Sequence, residues 1–515
     1  MASTERTRRL AGAAAIVMAA YVVSRLTGLL RDVAITYRFG TGPQLDAYYA
    51  AVRVPDTIFQ VVAGAAVASA FIPVYTTFLA KDAREEAWEM VSTFFTLAVV
   101  VLVPLVLVAM VAAPSLIPLI VPRFEPRYQA LAVDLTRIVL FAPVFFTIGC
   151  FTTSALNAHG RFFLAALAPT CYNLGIILGA LFFSRALGIR GLALGALFGS
   201  LLFCLVQLPG LRQIGLRFRP ALNLKHAGVT AVGRLMAPRA VGLAVTQVNF
   251  LVALYLASGI EGGISSLNIA WMLTMLPLGV FAMAISTAVF PSLAEQSAAA
   301  NHAELRQTML NAMRFILYLT VPASVGLIVL SHPIVRLLYE RGEFTAQSTA
   351  QTAGALQLYA LGLFGMATTE IVTRAFYALQ DTLTPVKVAG LGMIVNLALA
   401  LALVHPLGEN GLALATAVAG SVEGATLFTV ARRRIPGLQI HDLAGSAAKS
   451  IGAALLMGAI VQIFVVAAAP LGRSLDGAFL VAGSVLIGGA LYLGTTVALG
   501  SAEVSQLRRV LRRSA

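Results

Sequence analysis

Five stretches of this chain, 90–122, 162–184, 262–294, 388–408 and 477–502, contain no Asp, Glu, Lys or Arg. Each is long enough to cross the hydrocarbon core of a bilayer, which takes about 20 mostly apolar residues in a helix. Of the 515 residues, 59% are hydrophobic and 11% are charged. Soluble domains carry roughly 25% charged residues, and a soluble globule of this length lacks the interior to bury so much apolar surface. The mean hydropathy of +0.87 says the same. The expected fold is therefore an all-α polytopic membrane protein with about 14 transmembrane helices. The spans are expected near 10–36, 46–78, 88–113, 129–157, 161–184, 190–210, 232–258, 265–292, 310–331, 347–378, 384–404, 410–431, 448–470 and 476–499.

The formal net charge of +14 gives an orientation and not a nucleic-acid partner. Arg6, Arg8 and Arg9 precede the first span, which runs into Arg25 and Arg31 without a cleavage site and is read as retained. With the N-terminus on one side, that side holds 20 of the 36 Lys and Arg residues, including the 212–225 loop, Arg432 to Arg434 and the basic C-terminal tail. The opposite loops hold Arg38, Arg123, Arg127, Arg185, Arg190, Arg336, Arg341 and Arg473. The richer side is expected in the cytoplasm, so both termini are expected there, in a bacterial inner membrane.

The chain also repeats itself. Residues 187–194 read L-G-I-R-G-L-A-L and residues 407–414 read L-G-E-N-G-L-A-L, 220 positions later. Each block follows an apolar span containing an asparagine, Asn173 or Asn396. Pro55 and Pro277 match at an offset of 222, and Pro73 and Pro291 at 218. This predicts two parallel six-helix lobes, 1–222 and 223–437, with an additional helix pair and basic tail over 438–515. Parallel repeats place a site between them near mid-membrane.

No catalytic constellation is present in the sequence. The six histidines form no H-E-x-x-H motif, and none of the four lysines sits in the G-K-[ST] context of a phosphate-binding loop. Cys150, Cys171 and Cys204 lie in apolar runs without metal-ligand or disulfide spacing. The expectation is a transporter and not an enzyme, with no cofactor but with a coupling ion or the membrane potential as the energy source.

Charges inside the spans need a physical reason, because an Arg or Asp at a helix centre costs roughly 2.5–3.5 kcal/mol on insertion scales. The first helix carries Ser24, Arg25, Arg31 and Asp32, and the second Asp46, Arg53 and Asp56. Asp134, Arg137, Arg234, Arg239, Glu370, Arg374, Glu423 and Lys449 follow. Arg53 with Asp56, Asp134 with Arg137, and Glu370 with Arg374 have helical spacing for salt bridges. Each has two readings, a structural pair or a substrate contact. Lys449 and Arg234 lie where they can snorkel to the surface. Arg25 and Arg31 outnumber the one acid beside them. That suits an anionic ligand, since the arginine fork matches phosphate oxygens; helix-packing charges are the alternative.

Around these residues the sequence becomes specific. S-R-L-T-G-L-L-R-D at 24–32, D-A-Y-Y-A-A-V-R-V-P-D at 46–56 and A-F-I-P-V-Y at 70–75 resemble the N-terminal signature of the MurJ/MviN family. Q-V-N at 247–249, M-L-P-L-G-V-F-A-M-A-I-S-T-A-V-F-P-S-L at 275–293 and A-F-Y-A-L-Q-D-T-L-T-P-V-K at 375–387 are similar to that family too. The match runs in order over roughly residues 10–435.

The resemblance implies a lipid II flippase of the MATE-like MOP exporter superfamily, with fourteen helices, two lobes and a central cationic cavity. Its cargo would be undecaprenyl-pyrophosphate-linked peptidoglycan precursor, moved from the inner to the outer leaflet by alternating access, with a groove at the last two helices for the lipid tail. Membrane lipids and cell-wall synthesis or division proteins are the implied partners. Arg25, Arg31 and Asp32 match functional first-helix positions of the family, and Asp46 and Arg53 match polar positions of the second. Where members carry further arginines in the second and eighth helices, this chain has Phe59 and Met272; Arg53, Arg239 or Arg374 could substitute. Three readings follow: a lipid II flippase, a flippase for another lipid-linked oligosaccharide, or a MATE-type exporter of small amphipathic molecules. A non-transporting scaffold of the division machinery is a fourth. Two arginines to one aspartate in the first helix favour an anionic cargo.

Overall fold

The computed structural model describes the backbone of residues 2–64, 66–215, 218–438, 441–468, 477–501 and 503. Side chains are described over the same residues except 2–19, 21, 66–69, 237–239, 241–246 and 442. The topology arguments from Arg6, Arg8, Arg9, Arg217, Arg473 and the arginines from 508 onward rest on side chains outside that set.

The chain packs as two compact units. One is Met1–Gly262 with Gly342–Phe344; the other is Gly263–Arg341 with Thr345–Ala515. In the first, the helices are α1 (Ala2–Phe39), α2 (Pro43–Val62), α3 (Ala66–Ala80), α4 (Arg84–Ile120), α5 (Pro126–Val139), α6 (Ala142–Ala158), α7 (Phe162–Leu178), α8 (Ser184–Leu187), α9 (Ile189–Leu205), α10 (Leu208–Gln213) and α11 (Ala227–Ala257). The second holds α12 (Gly263–Pro277), α13 (Ala284–Ala298), α14 (His302–Tyr339), α15 (Ala346–Leu361), α16 (Leu363–Ala378), α17 (Leu383–Leu407), α18 (Glu409–Arg434), α19 (His441–Ala468) and α20 (Gly477–Ala498). π-helical turns at Gly179–Phe183 and Leu278–Met283 join α7 to α8 and α12 to α13. No strand occurs among the described residues.

The compact units divide at Gly262, whereas the sequence repeat begins again near 223. The reason is packing: α11 lies against α2, α3 and α4 and so belongs to the first unit. The short Gly342–Phe344 segment joins that unit because Glu343 N–H donates to Tyr37 O at 3.0 Å.

Ten stretches among the described residues are long and apolar enough to cross a membrane, and the pair α15 and α16, bent by 46°, makes an eleventh. The expected count of about fourteen is not confirmed among the described residues. The three expected spans outside this set are helical but different in kind. In the first, α1, the side chains of 2–19 and 21 lie outside the described set and the described part carries Arg25, Arg31, Asp32 and Arg38, and α2 carries Asp46, Arg53 and Asp56. The third, α11, includes side chains outside the described set. Elsewhere the outer surface is apolar: Val111, Leu119, Ile463, Phe479 and Leu486 are each two-thirds exposed or more. Soluble monomers avoid such continuous patches, and lipid covers them at no cost.

The sequence repeat reappears as backbone geometry. Gly188, before α9, has φ 57° and ψ −139°; Gly408, before α18, has φ 59° and ψ −135°. Only glycine adopts that region without strain. One turn earlier, Gly160 and Gln380, also 220 apart, have φ of 70° and 59°. There Arg161 N–H donates to Leu156 O and Asp381 N–H to Phe376 O, each at 2.9 Å, the six-to-one bond of a Schellman helix end. Asp82 and Ala300, 218 apart, share φ of 56° and 54°.

Candidate functional site

The geometry that matters most in the first unit starts with glycines. A Cβ on Gly175 would lie 2.3 Å from Gly199 Cα, and one on Gly179 would lie 2.6 Å from Gly195 Cα. Small residues at this spacing let α7 and α9 touch along their backbones. Asn173 is two positions before Gly175, so it points to about the opposite face of α7, and that face packs on α1.

There Asn173, only 6% exposed, makes a clamp. Its Nδ2 donates to Ser24 O at 3.2 Å and to Thr27 Oγ1 at 3.4 Å. Its Oδ1 accepts from Arg31 Nη1 at 3.1 Å. The same guanidinium donates to Asp32 Oδ1 from Nε at 2.9 Å and Nη2 at 2.8 Å. Neighbouring residues on a helix do not normally face each other; here the arginine stem folds back over the aspartate. Asp32 is 5% exposed at its side chain and Arg31 19%. An ion pair so placed must be well bonded to be tolerated. Tyr48, Tyr49 and Tyr172 pack on the same cluster as Ala34 and Ile35, just beyond it.

Ser24, Arg31 and Asp32 are thus brought together, with Ser24 contributing its carbonyl. Arg25 is not part of the clamp. It is exposed, with no hydrogen-bond or ion-pair partner among the described residues. Six residues of helix set Arg25 and Arg31 about 9 Å apart along α1 and about 120° apart around it. Arg53 binds Asp56, Nη1 to Oδ2, at 3.1 Å, and its guanidinium lies 4.1 Å from the Phe250 ring centroid. Asp46, 1% exposed, accepts from Gly262 N–H at 2.8 Å, which makes it an anchor for the end of the unit. The Arg239 side chain lies outside the described residues. Arg374 belongs to the second unit, on α16; its Nη2 is 3.8 Å from Glu370 Oε2, and its Nε is buried without a hydrogen-bond partner among the described residues.

In the sequence Asn173 stands out as a landmark of the repeat and as the one amide in the uncharged run 162–184, and such a group must find partners away from water.

A family model described as "Lipid II flippase MurJ" matches residues 35–473. The chain belongs to the lipid II flippase MurJ family. It is 32% identical over 514 residues to the probable lipid II flippase MurJ of Rhizobium meliloti (strain 1021), covering 96% of this chain and 94% of that protein. Its fold is similar to a lipid II flippase MurJ in an inward closed conformation, with a TM-score of 0.78 at 28% identity, covering 94% of this chain and 98% of the other. An inward-facing multidrug resistance MATE transporter of the MOP superfamily shares the fold, with a TM-score of 0.65 at 18% identity over 82% of this chain and 98% of the other. The chain is thus a multi-pass helical membrane protein of the MurJ family. Within it, Phe59 joins an aromatic cluster, its ring 5.4 Å from Phe146, which in turn meets Tyr172 and Phe203. That position is filled by packing, with no cation.

Proposed function

We propose that this chain flips lipid II, the undecaprenyl-pyrophosphate-linked peptidoglycan precursor, from the inner to the outer leaflet of the bacterial cytoplasmic membrane by alternating access. The observation that carries this reading is the Arg31 clamp. A fixed guanidinium, oriented by Asp32 and Asn173, is the group a pyrophosphate needs when it leaves water, because charge-assisted and bidentate bonds are the strong ones. Asp32 satisfies Arg31 when no cargo is bound, and a phosphate takes over part of that fork when it arrives. Arg25, on another face of α1, meets the far phosphate or guides the headgroup in.

The two repeats, 1–222 and 223–437, act as rocking lobes with both termini cytoplasmic, and Arg374 and Arg239 are further headgroup contacts. An elementary charge crossing 100 mV is worth roughly 2.3 kcal/mol, so the membrane potential or a coupled ion is sufficient to bias the cycle. The chain does no bond chemistry in this scheme; it is a carrier and not a catalyst.

The test is lipid II translocation in proteoliposomes. Arg31→Ala is expected to abolish most flipping, Arg31→Lys to keep part of it, and Arg25→Ala to fall between. Normal flipping by the Arg25→Ala, Arg31→Ala double variant rules out this site. Translocation of another lipid-linked oligosaccharide in preference to lipid II would favour the second reading, which the uncharged Phe59 and Met272 positions keep open.

A further inference from the structure

The linker that leads into α11 is tied down before the helix begins. Arg219 N–H donates to Ser92 Oγ on α4 at 3.3 Å, and Asn223 Nδ2 donates to Glu89 Oε1 on the same helix at 2.8 Å. Asn223 also closes a turn: its Oδ1 accepts from Lys225 N–H and its carbonyl from His226 N–H, each at 3.2 Å. That turn delivers His226 to the N-terminus of α11 with non-helical backbone, φ −57° and ψ 129°. Its carbonyl accepts the first helical bond, from Thr230 N–H at 3.1 Å. Its side chain caps the helix: Gly228 N–H donates to the imidazole Nδ1 at 3.1 Å.

Helices are ordinarily capped here by Ser, Thr, Asp or Asn, through a side-chain oxygen. An imidazole nitrogen accepts only while it carries no proton. In the neutral ring one nitrogen donates and the other accepts; in the cation both donate. Histidine is the side chain that ordinarily changes charge between pH 5 and 8. Protonation of His226 would set two N–H groups against each other and place a positive charge at the positive end of the helix dipole. Both effects have the same sign. The first turn has little to offset them, since α11 has no acidic residue there and glycine is a weak helix former. Gly228 is nevertheless wedged in place. A Cβ on it would lie 2.4 Å from Met90 Sδ on α4 and 2.8 Å from Phe78 Cε2 on α3.

The surroundings hold no ready partner for an imidazolium. α3 presents the Phe78 ring, with centroids 5.4 Å apart, and Lys81 follows just beyond its end. α4 carries Glu85, Glu86 and Glu89 at its start, and Glu89 is engaged by Asn223. On α2, Arg53 lies over Phe250, toward the far end of α11, with Asp56 paired to it. Lys225 precedes the ring in sequence and Arg234 follows about two turns later, both exposed. No carboxylate among the described residues lies within ion-pair distance of His226.

We propose that His226 is a proton-operated cap. As the neutral ring it holds the first turn of α11 against α3 and α4; as the cation it lets that turn go. In the orientation proposed above this joint faces the cytoplasm, at the point where the second sequence repeat begins, so it responds to cytoplasmic acid.

The test is hydrogen–deuterium exchange of the full-length protein in detergent, read over the peptide containing Gly228, Val229 and Thr230 and corrected for the intrinsic pH dependence of exchange. His226→Asn keeps a cap that does not titrate, and His226→Ala removes it. At about pH 8, wild type and His226→Asn are expected to be protected alike and His226→Ala about fivefold less. At about pH 5.5, wild type should fall to the level of His226→Ala while His226→Asn changes little. Peptides of α7 and a thermal melt of each variant separate loss of the cap from loss of the fold. A second measurement reads the ring itself: in nitrogen-15 histidine spectra, with His226→Asn used to pick out the signal, the neutral ring should carry its proton on Nε2. Wild-type protection that tracks His226→Asn at both pH values overturns the proposal. So does equal protection of wild type and His226→Ala at the higher pH, or a neutral ring with its proton on Nδ1. None of these readouts depends on flipping, so their failure leaves the proposed transport function standing.

Discussion

Asn173 and Asn396 occupy comparable places, each in the span that precedes a repeated L-G-x-x-G-L-A-L block, yet they differ in what they hold. Asn173 is buried and bonded to Ser24, Thr27 and Arg31. Asn396 is half-buried with no hydrogen-bond partner among the described residues. The turns that follow them are nearly superimposable in φ and ψ, at Gly188 and Gly408. Among the described residues the two halves thus keep the same backbone punctuation, while the cation clamp is found in the first. Turn geometry is fixed by local sterics and survives drift of side chains; a polar constellation depends on partners from separate helices and does not.

That difference is easiest to break through function. Asn173→Ala leaves the Arg31 fork held from one side only. A hydrogen bond to a charged group is worth roughly 1.5–3 kcal/mol, so flipping of lipid II should fall about tenfold or more. Asn396→Ala should stay close to wild type. The measurement is initial translocation rate in proteoliposomes at matched protein content. Equal losses in both variants would mean that the two asparagines do the same structural job and that the clamp is no special feature of the first unit.

The next effect concerns what the halves share. Gly188 and Gly408 lie in a backbone region that other residues enter at a cost of about 1–3 kcal/mol. A Cβ on Gly188 would touch nothing within 4 Å, so strain alone is at stake there. Gly188→Ala should lower the thermal midpoint of the purified protein, and Gly408→Ala should lower it by a similar amount. A tolerant Gly408 would show that the second turn is held less firmly than the first.

How much of this was legible in the sequence follows from the same distinction. Uncharged runs and the repeated octapeptide are local, and reading along the chain finds them. The Arg31–Asp32 pair is also local. The clamp is not, because Asn173 meets Ser24 across 149 positions, and only the glycine contacts of α7 with α9 turn it toward α1. Asp46 is non-local in the same way, since its carboxylate accepts from the backbone N–H of Gly262, 216 positions away. The membership of α11 in the first unit was hidden too, since it depends on which helices α11 packs against and not on where the repeat begins.

A smaller effect sharpens the turn comparison by its sign. Gly160 and Gln380 hold the same place and both have positive φ, but glycine fits it and glutamine does not. Left-handed backbone costs a side-chain-bearing residue roughly 1–2 kcal/mol. Gly160→Ala should destabilise the protein by about 1 kcal/mol, whereas Gln380→Gly should stabilise it by somewhat less, because glycine also loses more freedom on folding. Thermal midpoints of the two variants should move in opposite directions. Movement in the same direction would mean that the two turns differ in a way their φ values do not reveal.

The smallest expected effect lies one residue further on, where Arg161 in the first unit is replaced by Asp381 in the second. Asp381 Oδ2 accepts from Thr384 Oγ1 at 2.7 Å and its Oδ1 from Thr384 N–H at 3.0 Å, and Arg434 Nη2 lies 3.9 Å away. The hydroxyl of Thr384, then its N–H, hold this carboxyl below its ordinary value. Both bonds favour the charged form, so protonation in the folded protein costs more than in the unfolded chain. The resulting stabilisation is complete above the unfolded value of about 3.9 and is lost as pH falls through the lower folded value. The side chain is 23% exposed and sits in the short α16–α17 connection, so the gain is modest. Asp381→Asn should therefore lower the thermal midpoint slightly at pH 7 and converge with wild type in acid below the folded value. The first unit has no carboxylate at the equivalent position, so Arg161→Gln should shift the midpoint without changing its acid dependence. If Asp381→Asn instead left the difference from wild type constant down to the most acidic pH at which the protein stays folded, the Thr384 bonds would not be acting through the ionised carboxylate. The turn would then owe its stability to the six-to-one backbone bond that both halves share.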